Sequence, residues 1–135
     1  MKQQLILLLF VIANVTTSVQ AQSDKDNPSE EGLIKISIMY PYEEGKKFDM
    51  DYYKTKHMPM VAGYLGSNLV RYTIEKGLAS GIPNQPLPYM AIGTFYVKNL
   101  AEYQASIAPH RDAIRADIPR YTNVVPVILV SEVVK

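Results

Sequence analysis

The stretch Lys47-Phe48-Asp49-Met50-Asp51-Tyr52-Tyr53-Lys54-Thr55-Lys56-His57-Met58-Pro59 reads as a capped helix that carries the chain's best candidate group for chemistry. Asp49 is the N-cap, since its carboxylate can accept hydrogen bonds from the free N–H groups of the first turn. Phe48 and Tyr53 then occupy the two positions of a hydrophobic staple. Asp51 adds negative charge at the positive end of the helix dipole. Tyr53 and His57, four residues apart, share one face. Pro59 lacks an N–H and its ring crowds the preceding turn, so the helix is expected to end or kink there. That places His57 near a helix C-terminus, where the dipole favours the charged imidazole.

Working outward, Leu33 to Tyr40 alternates as a strand, with Ile34, Ile36, Ile38 and Tyr40 on one face. After Pro59, residues 60–65 continue as a second short helix, with Gly66 as its C-cap. Leu69 to Lys76 is a second strand and Tyr89 to Val97 a third, separated by a loop over 77–88 that holds two Gly and three Pro. That loop is a rim or a lid. Ala91 and Gly93 leave space on one face of the third strand, for a ligand or for a close-packed helix. Asn99 caps a second main helix to about Ala108, with Glu102 three residues on, and Leu100, Tyr103 and Ile107 form its apolar stripe. A further helical piece follows Pro109 and stops at Asp117-Ile118-Pro119. Val124 to Val134 is the last strand, with Pro126 marking an edge or bulge at its opening.

The order β-α-β-β-α-β is the split βαβ, ferredoxin-like arrangement, an α+β fold with two helices on one face of an antiparallel sheet. The strands carry apolar residues on both faces, and two helices cover only one. A second copy of the chain is the simplest cover for the other, which predicts a homodimer.

The chain has 135 residues, 20% of them charged, a formal net charge of +1 and no cysteine. One domain fits this length. The charge gives no reason for a nucleic-acid partner, and no glycine motif for a nucleotide, flavin or nicotinamide is visible. No metal is expected with only two histidines. Lys2, the apolar run Leu5 to Ala13 and Val19-Gln20-Ala21 read as a signal peptide over 1–21, which predicts an exported protein, periplasmic or secreted. The run is too short for a comfortable membrane span, and an uncleaved anchor is the alternative. Residues 22–32 read as a flexible polar leader, and 33–135 as the domain, held by its core without disulfides.

The segment Phe48-Asp49-x-x-Tyr52-Tyr53-x-x-x-His57-Met58-Pro59 closely resembles the signature of the EthD family, small proteins of the dimeric α+β barrel superfamily. Met39-Tyr40-Pro41, Ala116-Asp117-Ile118-Pro119-x-Tyr121-Thr122 and Val125-Pro126-Val127-Ile128 extend the likeness to about residues 33–134. The resemblance implies a ferredoxin-like fold and a homodimeric barrel. It also implies action on a small hydrophobic or aromatic molecule, of oxidoreductase type; on the residues alone, cofactor-free acid–base chemistry is the more economical mechanism, since proton transfer needs only His57 and a pocket.

His57 is the first catalytic candidate, since it titrates near neutral pH; the alternative is a histidine that caps helix carbonyls. Asp117 is the second, either orienting the imidazole or bonding its own turn. Tyr40, Tyr53, Tyr72 and Tyr121 are candidates for binding a substrate, because a phenol offers an apolar body with a polar tip. His110 reads as a surface residue. A non-catalytic binding or carrier module with the same pocket stands as the alternative function.

Overall fold

The computed structural model describes residues 29–135; the expected signal peptide and most of the expected leader lie outside them. Four strands, β1 (Ile34–Pro41), β2 (Leu69–Lys76), β3 (Tyr89–Val97) and β4 (Val127–Glu132), form one antiparallel sheet in the order β2-β3-β1-β4. The helices α1 (Met50–Tyr52), α2 (Met58–Leu65), α3 (Leu100–Ile107) and α4 (Arg111–Asp117) give the element order of a ferredoxin-like α+β fold. The register opposes Ile36 to Phe95, Ile38 to Gly93 and Tyr40 to Ala91, so alternation puts these residues on the helix-covered face. The core lies there: Ile36, Tyr40, Phe95 and Val97 from the sheet meet Tyr53, Met58, Val61 and Leu65 from the first helical run.

Local rules explain most of the boundaries. Asp49 caps α1, its side chain accepting from Tyr52 N–H at 2.9 Å. The Phe48 and Tyr53 rings meet at 5.1 Å, the staple expected at this cap. Asn99 caps α3 by accepting from Glu102 N–H at 3.0 Å. Gly66, with φ of 51°, ends α2 in a conformation that suits glycine.

The run does not end at Pro59. Residues Tyr53–His57 form a π-helical segment, closed by Met58 N–H on the Tyr53 carbonyl, and α2 follows directly. In a tighter helix the ring of Pro59 would press on the Thr55 carbonyl; the wider π turn accommodates it. His57 is therefore in the middle of a helical run over 50–65, not at its C-terminus, and it caps no carbonyl.

Two further expectations change. The last strand opens at Val127; Val124 is instead a buried loop residue of the core, and Pro126 precedes β4 on the sheet's edge. His110 is half-buried and stacks on Tyr64, ring centroids 3.8 Å apart. At the start of the described chain, Gly32 N–H bonds to Val133 C=O at 2.8 Å, and Glu30 holds the guanidinium of Arg71, with one N–O contact at 2.9 Å. The loop over 77–88 projects from the β2–β3 hairpin with Leu78 and Ile82 exposed.

Gly93 supplies the space for close packing. A Cβ built on it would collide with the Tyr53 hydroxyl and stand 3.0 Å from Met58 Sδ, so the bare backbone here is what lets the helical run rest on the sheet. Gly93→Ala is expected to lower stability by about 1–3 kcal/mol through overpacking. Urea denaturation checks this, and an unchanged midpoint would refute the packing account.

Candidate functional site

The segment that follows α4 folds back along the start of α1. Asp49 N–H donates to Tyr121 C=O at 2.7 Å, Thr122 Oγ1 donates to Lys47 C=O at 2.7 Å, and Lys47 N–H donates to Asn123 Oδ1 at 3.1 Å. These bonds fix the axial position of Asp117 and Tyr121 relative to His57.

Asp117 Oδ2 lies 2.8 Å from His57 Nδ1. Asp117 Oδ1 accepts from the Tyr52 hydroxyl at 2.8 Å, and the Arg120 guanidinium stands 3.7 Å away. On the other side of the imidazole, Nε2 is 3.2 Å from the Tyr121 hydroxyl, which is 2.7 Å from the Tyr40 hydroxyl. Four groups thus form one hydrogen-bonded row, Asp117–His57–Tyr121–Tyr40. His57 and Tyr121 are 5% and 2% exposed. The rings support each other: His57 stacks on Tyr53 at 5.6 Å, and Tyr121 lies 4.6 Å from His57 at a tilt.

Burial is the largest influence on His57 and disfavours its charged form; the bond to Asp117 opposes it, and the net direction is below the ordinary 6.5. Burial works against ionisation of Asp117 too, but hydrogen bonds from His57 and Tyr52 outweigh it and hold the carboxyl below its usual value. The resting pair at neutral pH is therefore carboxylate and neutral imidazole. An ionised Asp117 only accepts, so Nδ1–H donates to it and Nε2 is left with a lone pair. Tyr121 must then donate to Nε2, and Tyr40 to the Tyr121 oxygen. Burial also raises Tyr40, Tyr53 and Tyr121 above the ordinary phenol, so all three stay protonated.

His57, Tyr40 and Tyr53 form part of the wall of a cavity of about 490 Å³ between the sheet and the helices. Met58, Val61, Phe95, Ile107 and Ile114 make the wall largely apolar. Asp117 and Tyr121 stand behind it. Tyr121 also contributes to a more open hollow of about 690 Å³ beside Lys47, Phe48 and Asn123, away from the imidazole. Tyr72 is not brought to the site: it lies on β2 against Phe95, ring centroids 5.8 Å apart. No residue of the 77–88 loop lines the cavity. Tyr52, which the sequence reading did not single out, completes the second oxygen of Asp117. No cluster of three metal-ligating side chains occurs among the described residues.

The chain is thus a ferredoxin-like α+β protein with an apolar pocket between sheet and helices, walled in part by a histidine held on a carboxylate. The EthD domain family model matches residues 43–124, and the chain belongs to the EthD family. It is 42% identical to an EthD-like protein of known structure from Ralstonia eutropha JMP134, covering 78% of this chain and 95% of that one with a TM-score of 0.73. An EthD-family protein from Bacillus halodurans C-125, 14% identical, shares the fold with a TM-score of 0.55 over 75% of this chain and 98% of that one. No curated protein matches the chain.

The direction of the His57 shift sets the pH dependence of stability. Its folded-state pKa lies below the unfolded value, so the unfolded chain binds the proton first as pH falls. Stability is expected to decline as pH drops through about 6.5, and His57→Gln to flatten that part of the curve. NMR titration of the imidazole should give a midpoint below 6.5, lower still in Asp117→Asn; a midpoint above 6.5 would contradict the burial argument.

Proposed function

We propose that the protein binds a small, largely apolar molecule in the 490 Å³ cavity and moves a proton on it without a cofactor, with His57 as the base. The observation that carries this is the unbroken row from Asp117 to Tyr40, which ends on the cavity wall. A ligand proton passes to the Tyr40 oxygen as Tyr40 gives its own to Tyr121 and Tyr121 gives its own to Nε2. The ligand loses one proton, His57 gains one, and the Asp117 carboxylate stabilises the imidazolium. In a concerted shift no phenolate is populated, which suits phenols that burial keeps protonated. Return of the proton to a neighbouring ligand atom completes an isomerisation. Of the chemistries expected from the sequence, proton transfer is the one these groups support best.

A non-catalytic binding module is the second reading, favoured by the fact that both imidazole nitrogens already have partners within the protein. Two measurements separate them. A thermal-shift screen of hydrophobic phenols and ketones finds ligands, since anything that binds only the native state raises its melting temperature. Deuterium uptake from solvent into a bound ketone then reports proton transfer. Tyr121→Phe and His57→Gln are each expected to slow uptake at least about a hundredfold while the ligand-induced shift persists. Binding with no uptake by the wild type supports the carrier instead.

The site's setting belongs to the same proposal. The sheet face away from the helices carries an apolar strip of Met39, Ile92, Val127 and Leu129, and β4 leaves an unpaired edge. A second copy would cover both, giving the barrel-forming homodimer. Arg71, Thr73 and Glu75 make the β2 side of that face polar. No helix among the described residues is long and apolar enough to cross a membrane, and the reading of 1–21 as a cleaved signal places the mature protein outside the cytoplasm. Light scattering on the mature chain should give twice the monomer mass, with Gln22 as the first residue. A monomer at micromolar concentration would refute the dimer.

A further inference from the structure

The cavity's wall divides sharply by charge. Its buried members are apolar or phenolic, apart from the imidazole, whereas Gln104, Arg111 and Arg115 are exposed and stand at its rim. No Asp or Glu among the described residues belongs to the lining. Arg111 and Arg115 are four residues apart on α4, which puts both guanidinium groups on one side of that helix. Neither is within ion-pair distance of a carboxylate among the described residues, whereas Arg71 and Arg120 are. The charge of Arg111 reaches the cavity wall, where it favours ionisation of the Tyr103 phenol against the larger opposing effect of burial.

Resting on the cavity as the binding site proposed above, we infer that its ligand is an apolar monoanion: a ring or chain that fills the pocket, with a carboxylate at the rim between Arg111 and Arg115. Two guanidinium forks at an entrance without competing acids suit a planar carboxylate, which each can hold through paired N–H donors. Positive charge at the mouth of a low-dielectric cleft also draws anions towards it and speeds their capture. The apolar walls supply affinity for the body of the ligand, and the rim fixes its orientation. The end away from the carboxylate then points at Tyr40, Tyr53 and His57. The site thereby selects both a charge and a direction of entry.

A matched pair of probes tests this on the full chain: 2-naphthylacetate and its neutral amide, 2-naphthylacetamide, titrated calorimetrically at low and high salt. The acetate is expected to bind at least about tenfold tighter than the amide at low salt, with the advantage shrinking as salt rises. The double variant Arg111→Gln, Arg115→Gln should abolish that advantage and leave the amide's affinity within about twofold. Equal binding of the two probes, or an acetate preference that survives the double variant, overturns the inference while leaving the cavity reading intact. Failure of both probes to bind overturns the cavity reading and the inference together.

Discussion

The hydrogen bond between Asp117 and His57 joins two helical regions that are 60 residues apart in sequence, and much of the site's order follows from it. A carboxylate largely withdrawn from water is costly unless it is paired and fully bonded, and Asp117 is partly buried. Here one oxygen meets the imidazole and the other meets Tyr52, so both acceptors are used. A buried imidazole likewise needs partners for both nitrogens, and the second is Tyr121. Each satisfied group obliges the next, and the row ends where Tyr40, on β1, reaches the cavity. No buried side-chain donor or acceptor is left without a partner among the described residues. Removing one member would strand a neighbour in an apolar setting at a cost of about 1–3 kcal/mol, which is why the four groups behave as one unit.

The π-helical segment lets Tyr52 and His57 share Asp117. In an ordinary helix, residues five apart are rotated by about 140° and cannot serve one partner. Tyr52 and His57 are five apart and both bond to Asp117. The i→i+5 pattern of Tyr53–His57 brings them towards a common side. Pro59, which has no N–H to place, sits just past the segment and relieves its own crowding there. Read from the sequence as a helix stop or kink, Pro59 is better understood as the reason for a local widening, and the widening aims the imidazole at the carboxylate. Gly93 contributes from the sheet side, since its missing side chain leaves room for the Tyr53 ring that stacks on His57.

Signals confined to a few neighbouring residues were legible in the sequence. The Asp49 and Asn99 caps, the Phe48–Tyr53 staple, the Gly66 stop and the bounds of β2 and β3 all rest on such local rules. So does the element order, from which the ferredoxin-like fold follows. The EthD membership was legible from the Phe48–Pro59 segment and the further blocks that extend the likeness in the right order. Tertiary choices were not. Nothing local distinguishes a π turn from a helix stop at Pro59, or reveals that Val124 turns into the core before β4 begins. Tyr52 and Tyr72 show the same limit from opposite sides. Both are tyrosines in plausible positions, yet one bonds to Asp117 and the other only packs on Phe95 at the β2 edge. Their difference depends on how the segment after α4 lies along α1, set by Thr122, Asn123 and the backbone of Asp49 rather than by either tyrosine.

The same arrangement explains why three buried phenols beside a histidine are compatible with moving a proton. A phenol in a dry setting is a poor base, and burial makes its anion dearer still. A neutral imidazole backed by a carboxylate is a competent base, but its free nitrogen faces Tyr121 and not the cavity. Charge can therefore leave a ligand only if the phenols pass hydrogen along without holding charge themselves. In the proposed relay, the neutral state of Tyr40 and Tyr121 is a requirement. It would confine a positive charge formed on His57 to a place beside the Asp117 carboxylate, 2.8 Å away.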